Sequence, residues 1–157
     1  MKALTPLETL YETGVGDNLP LPDEITTLYG TLAFPPSTGR PYVISNFVST
    51  LDGVVSLDVP GTTDGDELSG SNQHDSMVMA LLRAVCDAVI VGAKSLRKSS
   101  QHIWTADHVY PELEGAFATL RSRLGKPEEP LNVFVSASGE IDPTLPVFHR
   151  EDVPSLI

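Results

Sequence analysis

An α/β domain with a mainly parallel central sheet flanked by helices is the fold class that this sequence predicts. Three observations carry the prediction. Runs of β-branched and aromatic residues at 42–51, 88–91 and 131–135 read as buried strands. Amphipathic stretches at 72–85 and 111–124 alternate with those runs. Glycine stands at the joins, as Gly92 after the second run and Gly125 after the second helical stretch. Strands alternating with helices of these lengths build a sheet-and-helix layered domain.

Composition sets the outer limits. The chain has 157 residues, one domain's worth, and a domain of that size buries roughly two-thirds of its unfolded surface. A hydrophobic content of 41% and a mean hydropathy of 0.00 describe a globular protein. No apolar run approaches the length of a membrane span, and Met1-Lys2-Ala3 opens no signal-peptide pattern, so the cytoplasm is the expected compartment. A formal net charge of −11 argues against nucleic acid or an anionic membrane as partner. The single cysteine, Cys86, leaves no internal disulfide and no multi-cysteine metal cluster. Its apolar surroundings make it a buried, inert thiol.

Residues 1–39 read as a lead-in without chemistry, expected to pack over the domain or a partner subunit. Leu4, Leu7, Leu10 and Tyr11 have helical spacing, and 22–29 reads as a second short helix showing Ile25, Leu28 and Tyr29. Residues 40–57 then supply the strand around which the domain is organised. Its apolar side chains alternate on both faces, as in a strand covered on both sides. Asp52-Gly53 interrupts it, and ligands of open α/β sheets bind beyond the carboxyl ends of strands. Asn46, Ser49, Thr50, Asp52 and Gly53 are therefore candidate site lining. The other reading of Asp52-Gly53 is a hairpin turn between 48–51 and 54–57.

Residues 58–71 are rich in Gly, Asp, Thr and Ser and read as a solvated, mobile loop. Asp64, Asp66 and Glu67 lack the ligand set and distal glutamate of a calcium loop. Ser71 or Asn72 caps the next helix, and Met77, Val78, Leu81, Leu82 and Val85 form its core stripe. After the strand at 88–91, Gly92-Ala93 leads into a helix start at 94–97. Such a join presents free backbone N–H groups and a positive dipole end to an anion. Lys94, Arg97 and Lys98 place three of the ten basic residues within five positions, where a phosphate is to be sought first. His102, Trp104 and His108 follow without metal-ligand spacing. Leu113, Phe117, Leu120 and Leu124 share one face of the helix that Gly125 stops, and Ser138-Gly139 begins a turn after the strand at 131–135. The apolar fragment 153–157 reads as the beginning of a further strand.

Taken together, SNFVSTLDG followed by LLRAVCDAVIVGAKSLR resembles the reductase domain of riboflavin biosynthesis, the RibD C-terminal domain family. Three elements stand in the right order: the S-x-L-D-G-like segment, the L-R-A-x-x-D-A helix-to-strand join, and the V-G-A-x-[ST] loop. The resemblance implies a dihydrofolate-reductase-like fold, with a lead-in at 1–39 and the N-terminal portion of the reductase domain at 40–157. It implies reduction of the ribosyl side chain of a 5-phosphoribosylamino-pyrimidine to the ribityl form, with NADPH as cofactor. By position, Asp52 is then catalytic, and Asn46 and Ser49 contact substrate. Thr50, Gly53, Gly92, Ala93, Lys94, Ser95 and Arg97 meet the cofactor. The basic cluster from Lys94 to Lys98 receives its 2′-phosphate, and Ser95 keeps the hydroxyl of the threonine common in the family. A phosphorylated pyrimidine as substrate and a homodimer complete what the resemblance implies; no metal is expected, because the His and Cys residues lack metal-ligand spacing. In that family further strands and a glycine-rich pyrophosphate loop follow, and this sequence contains no such loop. The expectation is a domain incomplete at its C-terminal end, with its final strand unpaired. The alternative is a non-catalytic nucleotide-binding module of the same fold. The W-x-x-P-x-D-x-x-x-F-type helix of a true dihydrofolate reductase is absent, as are the H-x-E and C-x-x-C ligands of the zinc deaminase often fused to this reductase.

Overall fold

The computed structural model describes residues 4–36, 38–57 and 64–157. The lead-in forms β1 (Asp17–Asn18), α1 (Asp23–Tyr29) and β2 (Ala33–Phe34), with β1 and β2 paired antiparallel. Pro22 holds extended backbone at the N-cap of α1, while Asp23 and Glu24 complement the positive end of its dipole. Ile25 is fully buried. The helix expected at 22–29 is thus present, but the one suggested by Leu4 to Tyr11 is not. There the Leu7 N–H donates to the Leu28 carbonyl at 2.8 Å, which lays the segment alongside α1. Thr5 precedes Pro6, a position that disfavours helical backbone, and so short a stretch cannot offset the cost of helix nucleation.

A helical layer follows. α2 (Asp64–Ser69) occupies part of the stretch expected to be a loop, and 58–63 lie outside the described residues. In α3 (Gln73–Val85) the Asn72 side chain caps the first turn, accepting from the His74 N–H at 2.9 Å. Of the predicted stripe, Met77, Leu81 and Val85 are buried while Val78 and Leu82 are half-buried, and Ala80 and Ala84 join the buried set. They pack against Ala106 and Tyr110 around α5 (Ala106–Val109), and against Phe117 and Leu120 of α6 (Glu114–Arg123). Gly125, at φ 65°, ends α6 with two bonds: its own N–H to the Ser122 carbonyl and the Lys126 N–H to the Arg121 carbonyl, both 3.0 Å. Arg121 is only 2% exposed. Its guanidinium donates to the carbonyls of Pro127 (2.7 Å), Cys86 (2.9 Å) and Ala84 (3.1 Å). It thereby closes the C-terminus of α3, whose last carbonyls have no partner within the helix.

The second layer is a parallel sheet in the order β3 (Ala88–Gly92), β4 (Leu131–Val135), β5 (Ser155–Leu156). Val91 and Phe134 face a core of Leu96, Ile103, Trp104, Val147 and Val153, with α4 (Ala93–Lys98) contributing Leu96. Asn132 is fully buried there. Its side chain accepts from the Trp104 N–H at 3.3 Å and donates to the Pro130 carbonyl at 3.1 Å. The final fragment, expected to be unpaired, adds to the sheet through Asn132↔Ser155 and Val133↔Leu156. The strand at 88–91, expected to be buried, is covered on one face only. Ile90 remains 69% exposed.

The largest correction concerns residues 42–51. They form no strand and lie outside both sheets, with Val43 79% and Phe47 77% exposed. Strand propensity describes a side-chain set that fits a pleated, half-covered surface. It does not supply the neighbouring edge, and among the described residues no strand pairs with this run. Its start is held by the Tyr42 ring, 5.4 Å from that of Phe34.

Candidate functional site

Two groups of predicted site residues lie on separate elements. The first is built on a tight turn. The Thr50 N–H donates to the Val54 carbonyl and the Gly53 N–H to the Thr50 carbonyl, both at 3.0 Å. Gly53 takes φ 88°, a conformation that favours glycine. The Thr50 hydroxyl accepts from the Val54 N–H at 2.9 Å and donates to the Asp52 carboxylate. One hydroxyl therefore ties the turn together and aims the carboxylate. Asp52 and Gly53 are exposed, as are Asn46 and Ser49 on the preceding run, and Thr50 is half-buried. The hairpin-turn reading of Asp52-Gly53 describes this backbone, although the flanking residues form no paired strands.

The second group stands where β3 passes into α4. Gly92 is the N-cap of α4 and, having no side chain, supplies no capping bond of its own. Buried Ala93 and Leu96 anchor the helix, whereas Lys94, Ser95 and Arg97 are exposed. A Cβ added at Gly92 would meet nothing within 4 Å, so the approach to this join is open.

A groove of about 430 Å³ was not foreseen from the sequence. It is lined by Val48, Ser69, Asn72, His74, Asp75 and Val78. The end of α2, the capped start of α3 and the run carrying Ser49 and Thr50 converge there. Its one legible signal is the Asn72 cap; Ser69 joins it only because α2 forms.

Farther along, His102 accepts a hydrogen bond through Nε2 from Arg83 at 2.9 Å and packs edge-on against Trp104 and His108. Burial, then the Arg83 charge and His108, push the His102 pKa down to about 3, so the ring is neutral. This is a packed polar cluster, and among the described residues no group of His, Cys, Asp or Glu is arranged to hold a metal ion. Burial raises the Cys86 thiol pKa, in keeping with an unreactive side chain.

The family model of the RibD C-terminal domain matches residues 41–157. The chain belongs to the RibD C-terminal domain family. No curated protein sequence and no solved structure gives a significant match. Membership makes this a riboflavin-pathway reductase-like domain with a dihydrofolate-reductase-like fold, and the three-stranded parallel sheet with its helices is a mixed α/β arrangement of that kind. The RibD C-terminal match contains the Thr50–Val54 turn, the β3–α4 join and the groove. Among the described residues no helix is long and apolar enough to cross a membrane.

One titrating group lies within the matched region but away from these elements. Burial, then Asp107, push the Glu129 pKa up from 4.5 to about 7; Arg121 and Arg150 oppose this and Asp152 adds to it. A carboxyl whose folded pKa is raised binds its proton more tightly in the native state. Its contribution to stability is therefore complete below about pH 4.5 and is lost as pH rises through about 7. The melting temperature should fall across that window, and Glu129→Gln should flatten the profile. An unchanged slope in that variant would assign the dependence to another group.

Proposed function

We propose that this domain is an NADPH-dependent reductase of the riboflavin pathway, reducing the ribosyl side chain of a 5-phosphoribosylamino-pyrimidine to ribityl. The observation that carries the reading is the Thr50–Val54 turn inside the family match, which presents the Asp52 carboxylate outward with its orientation set by Thr50. The open β3–α4 join suits a nucleotide phosphate: the exposed Ser95 hydroxyl and the basic Lys94 and Arg97 stand together at the start of α4 as a donor set for an anion. Gly92, Ala93, Lys94, Ser95 and Arg97 hold the cofactor there, with Thr50 and Gly53 meeting it from the turn. NADPH, when bound, supplies hydride.

The residues of the first group act on the substrate. Asn46 and Ser49 orient it by hydrogen bonds from the run whose Val48 borders the open groove. Asp52 positions the sugar hydroxyls and passes a proton to the oxygen or nitrogen on which charge develops. The reaction runs in the cytoplasm and the domain works as a homodimer. A net charge of −11 supports a small-molecule substrate over nucleic acid.

Asp52→Asn is the deciding experiment. The amide keeps size and acceptor capacity, so stability should change by no more than about 1 kcal/mol. Turnover, followed as NADPH oxidation, should fall roughly 100-fold, the range usual for an acid–base group. A variant that folds and turns over normally would leave Asp52 as a turn residue. A wild-type protein that binds NADPH without turnover would favour the non-catalytic module.

A further inference from the structure

The segment that joins α4 to α5 is tied to α3 through Arg83. His102 lies in a turn closed by its own N–H, which donates to the Ser99 carbonyl at 2.9 Å. Its ring meets the Arg83 guanidinium, with Nε2 2.9 Å from Nη1. A guanidinium has donors only, so Nε2 must offer a lone pair and the ring must be neutral in this contact. The same Nη1 donates to the Thr105 carbonyl at 3.4 Å, and Arg83 is buried. Two anchors of the segment, at 102 and 105, therefore depend on one nitrogen. One of the two uses a lone pair that a proton can take. Trp104 stands between them, its ring packed edge-on against that of His102.

We propose that His102 is an acid-released latch: as a neutral acceptor it pins the 99–105 segment to Arg83, and on taking a proton it lets that segment leave α3. A ring protonated at Nε2 turns an N–H toward Nη1, donor against donor and cation against cation. The charged and titratable groups around the pair are Arg83 from α3, Asp107 and His108 from α5, and Arg150 from the segment before β5. The one carboxylate among them, Asp107, acts on His108 and not on His102. Burial, then Arg83 and His108, hold the closed ring at a pKa of about 3 in place of its ordinary 6.5. The open segment thus binds the proton first. The latch is at full strength above about pH 6.5, and its closing equilibrium weakens about tenfold for each pH unit below, down to about 3. No cofactor or substrate takes part, so the latch stands apart from the function proposed above.

The test is hydrogen exchange on the whole chain, read by NMR from about pH 6 to about pH 4 and corrected for the intrinsic rate at each pH. Protection of the Trp104 N–H, which donates to the Asn132 side chain, should fall roughly 100-fold over that range. Protection of Leu120, buried on α6, should not follow it. His102→Gln keeps an acceptor for Arg83 and cannot titrate, so its Trp104 protection should stay level. Glu129 titrates in part of the same window, in the opposite sense and in both proteins, so comparing the two cancels it. Equal slopes in wild type and His102→Gln overturn the proposal. A parallel loss at Leu120 overturns it too, because the whole domain is then opening and not the segment. If the variant does not fold, the ring titration of wild-type His102 decides. A midpoint well below 6.5 sustains the latch, and a midpoint near 6.5 removes it.

Discussion

Arg121→Met should lower the stability of the domain by roughly 3 kcal/mol or more, a large part of the total for a domain this size. The side chain is almost wholly buried and touches no carboxylate within hydrogen-bond distance among the described residues. Its partners are main-chain carbonyls, those of Arg83, Ala84 and Cys86 at the end of α3 and that of Pro127 on the way to β4. Methionine fills much of the volume but leaves those oxygens without donors, and each orphaned buried acceptor costs about 1–3 kcal/mol. Burial also lowers the guanidinium pKa, so part of the gain is offset by desolvation. Arg121→Lys should recover only a fraction, since one ammonium cannot span carbonyls served by a planar fork. Urea unfolding measures the loss, and hydrogen exchange should locate it in the last turn of α3. Equal exchange there in wild type and variant would mean that Arg121 does not close the helix.

Phe134→Ala should cost about 3–5 kcal/mol, the range for removing a buried aromatic side chain from a packed core. Phe134 lies on the central strand at 2% exposure. Its ring meets Trp104 and Phe148 edge-on, at centroid distances of 5.4 and 5.1 Å. Both contacts are lost at once, and the backbone of β4 is fixed on both sides by its neighbours, so the cavity cannot easily collapse. Phe134→Leu should cost distinctly less. Trp104 is the only tryptophan, and its emission should shift to the red in the alanine variant even under conditions where it is folded. An unshifted spectrum with a small loss of stability would show that the neighbours repack.

What the sequence disclosed was what depends on neighbours in the chain. The cap at Asn72, the stripe of Met77, Leu81 and Val85, and the stop at Gly125 are set within a few residues, and α3 and α6 were legible for that reason. β3 and β4 were legible as apolar runs between helices, yet nothing local told which face of each would stay bare. The run at 42–51 failed on the same ground: its composition suits a strand, but a strand is completed by an edge elsewhere. α2 was hidden because its Gly, Asp and Ser content favours loops. Arg121 gave no hint of its role, since the carbonyls of Ala84 and Cys86 lie 37 and 35 residues away. For the site, the Asp52-Gly53 turn and the glycine at the β3–α4 join could be read locally. The groove between Val48 and α3 could not, because it exists only where the run at Val48 meets the α2–α3 stretch.

The buried Asn132 amide has a consequence for how the molecule comes apart. It hangs from the middle strand of the sheet and grips the main chain of Trp104, two residues before α5 enters the helical core. Pulling that segment away takes Trp104 from the amide and leaves it only the Pro130 carbonyl in an apolar interior. Unravelling the segment that leads into α5 therefore carries a cost in the sheet core as well.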